Sequence, residues 1–380
     1  MRIGIFGGTF DPVHNEHINL CRAAAGELKL SRLIVLPAGD PPHKALLSAS
    51  AEARLEMTRA AFSALPIAEV SDFEIVREGT GYTYLTLAHF AEKFPDAELF
   101  FIVGSDSMAD IQDKWARPDL IARYCKLAVA GREGYPSAEA AAERFGRTFN
   151  TEVRRLGYSG ADVSSTEARV LLEFGFYEYA DIPDSVRAYI EKKGLYRKYG
   201  ALILRAQQLM SEKRWVHTAF TTAKAVELAR RIGVSEEKAF VAAALHDVAK
   251  KVPDEELERL GFVPPEGVPP PVIHAYSGAY LAEREFGITD PEILAAITFH
   301  TTARPEMSGL EKVLYVADCI EKTRDYEGVD ELRLAVESDF ERGFITCLKA
   351  TAQLLADADK AEVSELTAEA YRYYAEKPEE

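Results

Sequence analysis

A chain of 380 residues with 47% apolar residues has the length for two domains of ordinary size and the apolar content for packed cores. Its formal charge of −16, carried mostly by residues 201–380, excludes a non-specific nucleic-acid binder, which needs a basic face, and suits a soluble small-molecule enzyme. Cys21, Cys125, Cys319 and Cys347 form no Cys-x-x-Cys pair, no apolar stretch is long enough to span a bilayer, and no signal-peptide pattern precedes the first strand, so the chain reads as cytoplasmic with free thiols, without membrane or nucleic-acid partners.

Residues 3–6 read as a strand that Gly7 and Gly8 break, with a helix from about Asn15. Two glycines at a strand end let the backbone approach a bulky anion that a Cβ would block. His14 and His17 lie three apart, so on a helical turn they share a face. A helix N-terminus there offers N–H groups and partial positive charge to phosphate.

Residues 32–38, 99–104 and 126–130 read as buried strands, and residues 18–28, 51–65 and 83–94 as helices between them. This alternation predicts a mostly parallel sheet with helices on both faces and a ligand at the C-terminal strand ends. Pro41-Pro42-His43-Lys44 is a stiffened loop carrying a cation. Gly104-Ser105-Asp106 closes one strand, and an acid there can accept from ribose hydroxyls. Trp115 can stack on a heterocycle or pack a helix. Ser164-Ser165-Thr166-Glu167-Ala168-Arg169 opens a helix with a capping box, and its hydroxyls and arginine also suit a phosphate clamp. Residues 183–196 read as a closing helix.

From Ala201 the pattern is helical, interrupted at Pro253, Pro264-Pro265 and Pro269–Pro271, which predicts an all-α domain. The boundary falls near Tyr199-Gly200, giving domains 1–199 and 200–380. All four histidines of this half, His217, His246, His274 and His300, occur in one series with Asp247 and Asp318. Imidazole and carboxylate together suit iron, manganese or zinc rather than calcium.

The stretch Gly7-Gly8-Thr9-Phe10-Asp11-Pro12-Val13-His14-Asn15-Glu16-His17 resembles the signature of the nucleotidylyltransferase superfamily, and within it the nicotinate mononucleotide adenylyltransferases. Glu16 stands where that family has glycine, and Leu85 where it has aspartate. A carboxylate beside a triphosphate pocket repels substrate unless it points away or binds a metal. The resemblance covers residues 1–199 and implies a Rossmann-like domain that adenylylates nicotinate mononucleotide with ATP and Mg²⁺. It implies positive phosphate contacts from His14, His17, Lys44 and Arg169. It assigns substrate contacts to Gly7, Gly8, Thr9, Phe10, Thr83, Tyr84, Gly104, Asp106, Trp115, Arg132, Ser164, Ser165 and Thr166.

The second half, with residues 245–250 (LHDVAK), 300–302 (HTT) and 317–321 (ADCIE), resembles the YqeK-type HD phosphohydrolases, which cleave diadenosine tetraphosphate symmetrically. That resemblance implies His217, His246, Asp247 and Asp318 around one divalent metal and His274 and His300 on a second, with Asp247 bridging. Iron is expected first, manganese or zinc next, with Lys250 and Arg324 on phosphate. Homo-oligomers are compatible with this reading. Two alternatives stay open: the same folds with other substrates (nicotinamide mononucleotide or pantetheine phosphate in the first half, another nucleotide in the second), or one half a degenerate nucleotide sensor.

Overall fold

Ile3 and Ile5, fully buried in the first strand, mark the middle of a parallel sheet covered on both faces. The computed structural model describes residues 1–39, 46, 48–77, 81–132, 136–161, 163–357 and 361–375. It divides into two units, one made of Met1–Leu172 with Phe176–Arg197, the other of Glu173–Gly175 with the chain from Lys198 onward.

The first unit holds six strands: β1 (Arg2–Gly8), β2 (Arg32–Pro37), β3 (Ala68–Val70), β4 (Glu98–Val103), β5 (Lys126–Arg132) and β6 (Val153–Gly160). Their order is β3-β2-β1-β4-β5-β6 and every pairing is parallel. The chain builds outward from β1 to β3, then returns to the other side of β1 to start β4. The strand order therefore reverses between β1 and β4, and a crevice opens at their C-terminal ends.

Two strands escape the sequence reading. β3 has three residues, and β6, Val-Arg-Arg-Leu-Gly-Tyr-Ser-Gly, is a polar edge strand without an apolar run. One expectation is corrected: Gly7 and Gly8 do not break the first strand but pair with Leu36 and Pro37 of β2. What Gly8 provides is room, because a Cβ there would stand 2.9 Å from the Phe10 ring. Phe10, at a φ of 50°, folds back to pack against Phe6, Phe62 and the edge of His17.

The loop after β1 is braced by buried polar groups. Arg54, 1% exposed, donates through Nη1 to the carbonyls of Thr9 (2.9 Å) and Ala38 (2.7 Å) and through Nη2 to that of Gly39 (3.1 Å). The buried Asp11 carboxylate accepts from the Tyr196 hydroxyl at 2.8 Å and the Ala49 N–H at 3.1 Å.

In the second unit every element among the described residues is a helix. Helix Glu236–Leu245 is buried on nearly all sides by Ala239–Leu245, so its end delivers His246 and Asp247 to the interior. Around it stand helices Glu212–Ile232, Ile273–Arg284, Pro291–Phe299 and Gly309–Ile320. Serine and aspartate start three of them: Ser211, Asp290 and Ser308 each accept a first-turn N–H, and Ser308 completes a capping box with Glu311. No helix among the described residues is long and apolar enough to cross a membrane.

Replacing Arg54 by methionine keeps volume but strips three buried carbonyls of a charged donor. The expected cost is about 3 kcal/mol or more, read as a fall in the first unit's denaturation midpoint.

Candidate active sites

In the first unit a cavity of about 260 Å³ lies over the C-terminal ends of β1, β4, β5 and β6. Gly7, Gly8, His14, His17, Gly104 and Trp115 all line it. Trp115 packs edge-on against Phe101, with centroids 6.0 Å apart. His14 and His17 stack at 3.7 Å at the start of helix Asn15–Leu28.

The His14 backbone N–H donates to His17 Nδ1 at 3.1 Å. A ring nitrogen that accepts carries no proton, so the neutral His17 has its N–H at Nε2. Burial, reinforced by His14, holds His17 well below the ordinary imidazole range. His17 thus carries a donor N–H at Nε2.

Glu16 lines the same cavity, but its carboxylate is committed. Oε2 accepts from the Tyr158 hydroxyl at 2.5 Å and the Ala161 N–H at 3.0 Å, and Oε1 from Asn19 at 3.1 Å. A Cβ on Gly160 would fall 2.9 Å from Oε2, so that glycine makes room for the acid. Against the opposing effect of burial, these bonds hold Glu16 below the usual carboxylate range. Burial and Glu16 push the Tyr158 phenol up to about 12. Lower on the same helix, Glu27 takes the Gly157 N–H with both oxygens, at 3.1 and 2.9 Å. Two carboxylates thus pin the end of β6 to the helix that carries the histidines, a bond set the sequence reading missed.

Other expected contacts have structural employment. Arg169 is buried and donates to the carbonyls of Asp11 (2.6 Å) and Leu46 (3.0 Å) and to Thr166 Oγ1 (3.1 Å), so it braces the loop after β1 instead of lining the cavity. Ser164 caps helix Ser165–Glu173 through the Glu167 N–H, and Ser165 donates to the Pro12 carbonyl. Phe10 is core, Thr9 gives its carbonyl to Arg54, and Thr83 and Tyr84 stand on helix Thr83–Lys93, away from the cavity lining. Lys44 and the side chains of Asp106 and Arg132 lie outside the described residues.

In the second unit the six expected ligands converge. Asp247 Oδ2 faces His246 Nε2 (3.5 Å) and His217 Nε2 (4.0 Å), while Oδ1 faces His274 Nε2 (3.4 Å) and His300 Nε2 (3.6 Å). Asp318 Oδ1 is 3.0 Å from His217 Nε2 and 4.0 Å from His246 Nε2. The Nδ1 atoms of His246, His274 and His300 sit 2.7, 2.9 and 2.7 Å from the carbonyls of Ala243, Pro271 and Ile297. A carbonyl only accepts, so each Nδ1 carries the proton and each Nε2 turns a lone pair to the centre. Glu321 orients His217 by facing its Nδ1 at 3.1 Å, and is itself fixed by the Thr323 N–H and hydroxyl.

Two overlapping groups have ion-holding geometry: His217, His246 and Asp318, and His246, Asp247 and His300. The donor set fits a metal on a further count. His246 Nε2 and Asp247 Oδ1 are buried without a hydrogen-bond partner. Burial pushes His246 down to about 3 and lowers His274. Burial would raise Asp247 and Asp318, but the surrounding imidazoles, and Arg324 beside Asp318, hold both well below the carboxylate range. His217 differs: against the opposing effect of burial, its bonds to Asp318 and Glu321 hold it above the ordinary imidazole range. Neutral imidazoles and ionised carboxylates are the forms that bind metal, so metal binding would displace a proton at His217. Lys250 Nζ stands 3.4 Å from Asp247 Oδ1, and Arg324 pairs with Asp318. Arg214, not anticipated from sequence, pairs with Asp247 Oδ2 at 2.5 Å.

A parallel sheet with a glycine- and histidine-lined crevice at its switch point, joined to a helical His/Asp cluster, defines a nucleotidylyltransferase-type domain followed by an HD-type domain. A cytidylyltransferase-like family model matches residues 5–170 and an HD domain model residues 214–323. A protein of Mycoplasma pneumoniae, described as a probable nicotinate-nucleotide adenylyltransferase/Ap4A hydrolase, is 34% identical over 325 residues, covering 85% of this chain and 89% of its own. Its counterpart in Mycoplasma genitalium is 28% identical over 365 residues, covering 94% and 99%. A probable nicotinate-nucleotide adenylyltransferase of Neisseria meningitidis serogroup C is 40% identical over 202 residues, 52% of this chain and 99% of that protein. The chain belongs to the two-domain nicotinate-nucleotide adenylyltransferase/Ap4A hydrolase family. Its HD domain is a divalent-metal-binding domain with the ligand groups in place.

Substituting Glu16→Gly removes the acceptor of Tyr158. The phenol is expected to titrate lower, back toward its ordinary value of about 10, in a difference ultraviolet titration against the unsubstituted protein. His17 yields a pH test. Its folded pKa is depressed, so the unfolded chain takes a proton near about 6.5 that the folded chain refuses. The His17 contribution to stability is full above that pH and is lost as pH falls below it. His17→Gln should flatten the fall of the first unit's melting temperature between about pH 7 and pH 5.

Proposed function

We propose that the first unit transfers the adenylyl group of ATP to nicotinate mononucleotide, giving nicotinate adenine dinucleotide and pyrophosphate. The observation that carries this reading is the single lining shared by Gly7, Gly8, His14, His17 and Trp115 at the strand-order reversal. The attacking phosphate of the mononucleotide is already ionised, so no strong base is required. Alignment and neutralisation suffice, with Mg²⁺ carried by the triphosphate. The His17 Nε2–H and the N-terminus of helix Asn15–Leu28 would donate to phosphate oxygens, and Trp115 would stack on the pyridine ring. The commitment of Glu16 to Tyr158 and Ala161 supports a pocket still open to a polyphosphate.

For the second unit we propose hydrolysis of diadenosine tetraphosphate to two ADP. The convergence of four Nε2 atoms on two carboxylates carries it. His217, His246 and Asp318 would hold one divalent ion, His274 and His300 the other, with the two oxygens of Asp247 turned to both. Iron, manganese or zinc suits these donors, and when bound supplies a water acidic enough to ionise near neutral pH. Lys250 and Arg324 would bind phosphate oxygens and offset the charge that builds on them. Cysteines that are buried or half-buried and unpaired support a reducing, cytoplasmic setting.

His246→Ala should lose bound metal in elemental analysis and abolish release of ADP from diadenosine tetraphosphate. Pyrophosphate release from ATP with nicotinate mononucleotide should persist in the same sample. No pyrophosphate release by the unsubstituted protein would remove the first assignment.

A further inference from the structure

A cavity of about 840 Å³ lies beside the metal-site cluster, on its His217 side. Lys213, Arg214, Lys251 and Arg324 line it together with Tyr326. Residues 201–380 hold most of the chain's acidic excess, so four cations around one cavity stand against the local composition. The acids in the lining do not cancel them: Glu321 is fully buried and already serves His217 and Thr323, leaving Asp325.

The cations fall into two kinds. Arg214 and Arg324 pair with Asp247 and Asp318 and so touch the cluster itself. Lys213 and Lys251 are exposed and make no ion pair among the described residues. Lys251 is also set apart from its neighbour Lys250, which stands by Asp247 and His274 on the other side of the cluster. Tyr326 adds a flat surface: its hydroxyl donates to the Cys319 carbonyl at 2.7 Å, while its side chain stays 40% exposed. An anchored, exposed aromatic beside unpaired ammonium groups matches the two parts of a nucleotide, a π-faced base and an anionic chain. The volume is within the range of small-ligand sites.

We propose that this trench is a subsite for one nucleoside diphosphate portion of the substrate, with Lys213 and Lys251 on phosphates beyond the reacting one and Tyr326 stacked on the base. The assignment rests on reading the second unit as a nucleotide hydrolase. It places this half of the phosphate chain on the Arg214 and Arg324 side of the cluster.

Calorimetric titration of the full, metal-loaded chain with ADP and, separately, with inorganic pyrophosphate tests it. Binding in the first unit contributes the same heat to every variant, so the difference isotherm reports the trench. The double variant Lys213→Ala/Lys251→Ala should weaken both ligands about tenfold or more, the loss of a charged hydrogen bond. Tyr326→Leu should weaken ADP by about tenfold and leave pyrophosphate unchanged, while Tyr326→Phe keeps ADP affinity. In turnover of diadenosine tetraphosphate the same variants should raise KM more than they lower kcat. ADP affinity unchanged in both the lysine and the leucine variants would overturn the proposal. If the chain fails to cleave diadenosine tetraphosphate yet shows this pattern of ADP binding, the reaction is misassigned and the subsite stands.

Discussion

A polar atom shut away from water has to find a partner, and the two units meet that demand in opposite ways. In the first, the buried polar groups around the loop after β1 satisfy one another. Arg54 and Arg169 spend their guanidinium donors on the carbonyls of the loop after β1, and Tyr196 and Ala49 satisfy Asp11. The loop is held rigid, and with it the start of the helix that bears His14 and His17. In the second, satisfaction is deliberately incomplete. The outer nitrogens of three imidazoles are tied to carbonyls, and two inner atoms, His246 Nε2 and Asp247 Oδ1, are left without a hydrogen-bond partner among the described residues. A centre of lone pairs in a buried place calls for a cation.

Charge is distributed to match. The chain is strongly acidic, yet positive or hydrogen-donating groups are gathered where phosphate would sit. In the first unit these are a helix N-terminus and a histidine kept neutral by burial. In the second they are Lys250, Arg214 and Arg324 around the cluster and two lysines beyond it. A net negative surface and local cationic pockets are compatible because screening limits surface charge to about 10 Å.

Glu16 shows how a departure from a family pattern is absorbed. Beside a polyphosphate pocket, a carboxylate in place of glycine would oppose anion binding. Here the acid is turned to the end of β6, where a phenol, a backbone N–H and an asparagine amide hold it, and a glycine at position 160 leaves the space. The substitution becomes a brace between a helix and an edge strand that has few apolar contacts of its own.

Much was legible in the residues alone. Apolar runs in β1, β2, β4 and β5 announce strands buried on both faces, and the switch to helical periodicity after residue 200 announces the change of architecture, because burial imposes a period on the chain. The clustering of His217, His246, Asp247, His274, His300 and Asp318 was legible too, since few side chains can ligate and the second half offers just four histidines. What the sequence left undecided was direction. Arg169, Ser165 and Phe10 have the chemistry of ligands or clamps, but folding turns them to the loop carbonyls and the core. Conversely Arg54, Arg214 and Lys251 carry no motif, and acquire their places when segments far apart in the chain pack together. Composition and spacing determine which groups are available. Which of them face a ligand, and which are consumed in holding the backbone, depends on long-range packing that no local pattern encodes.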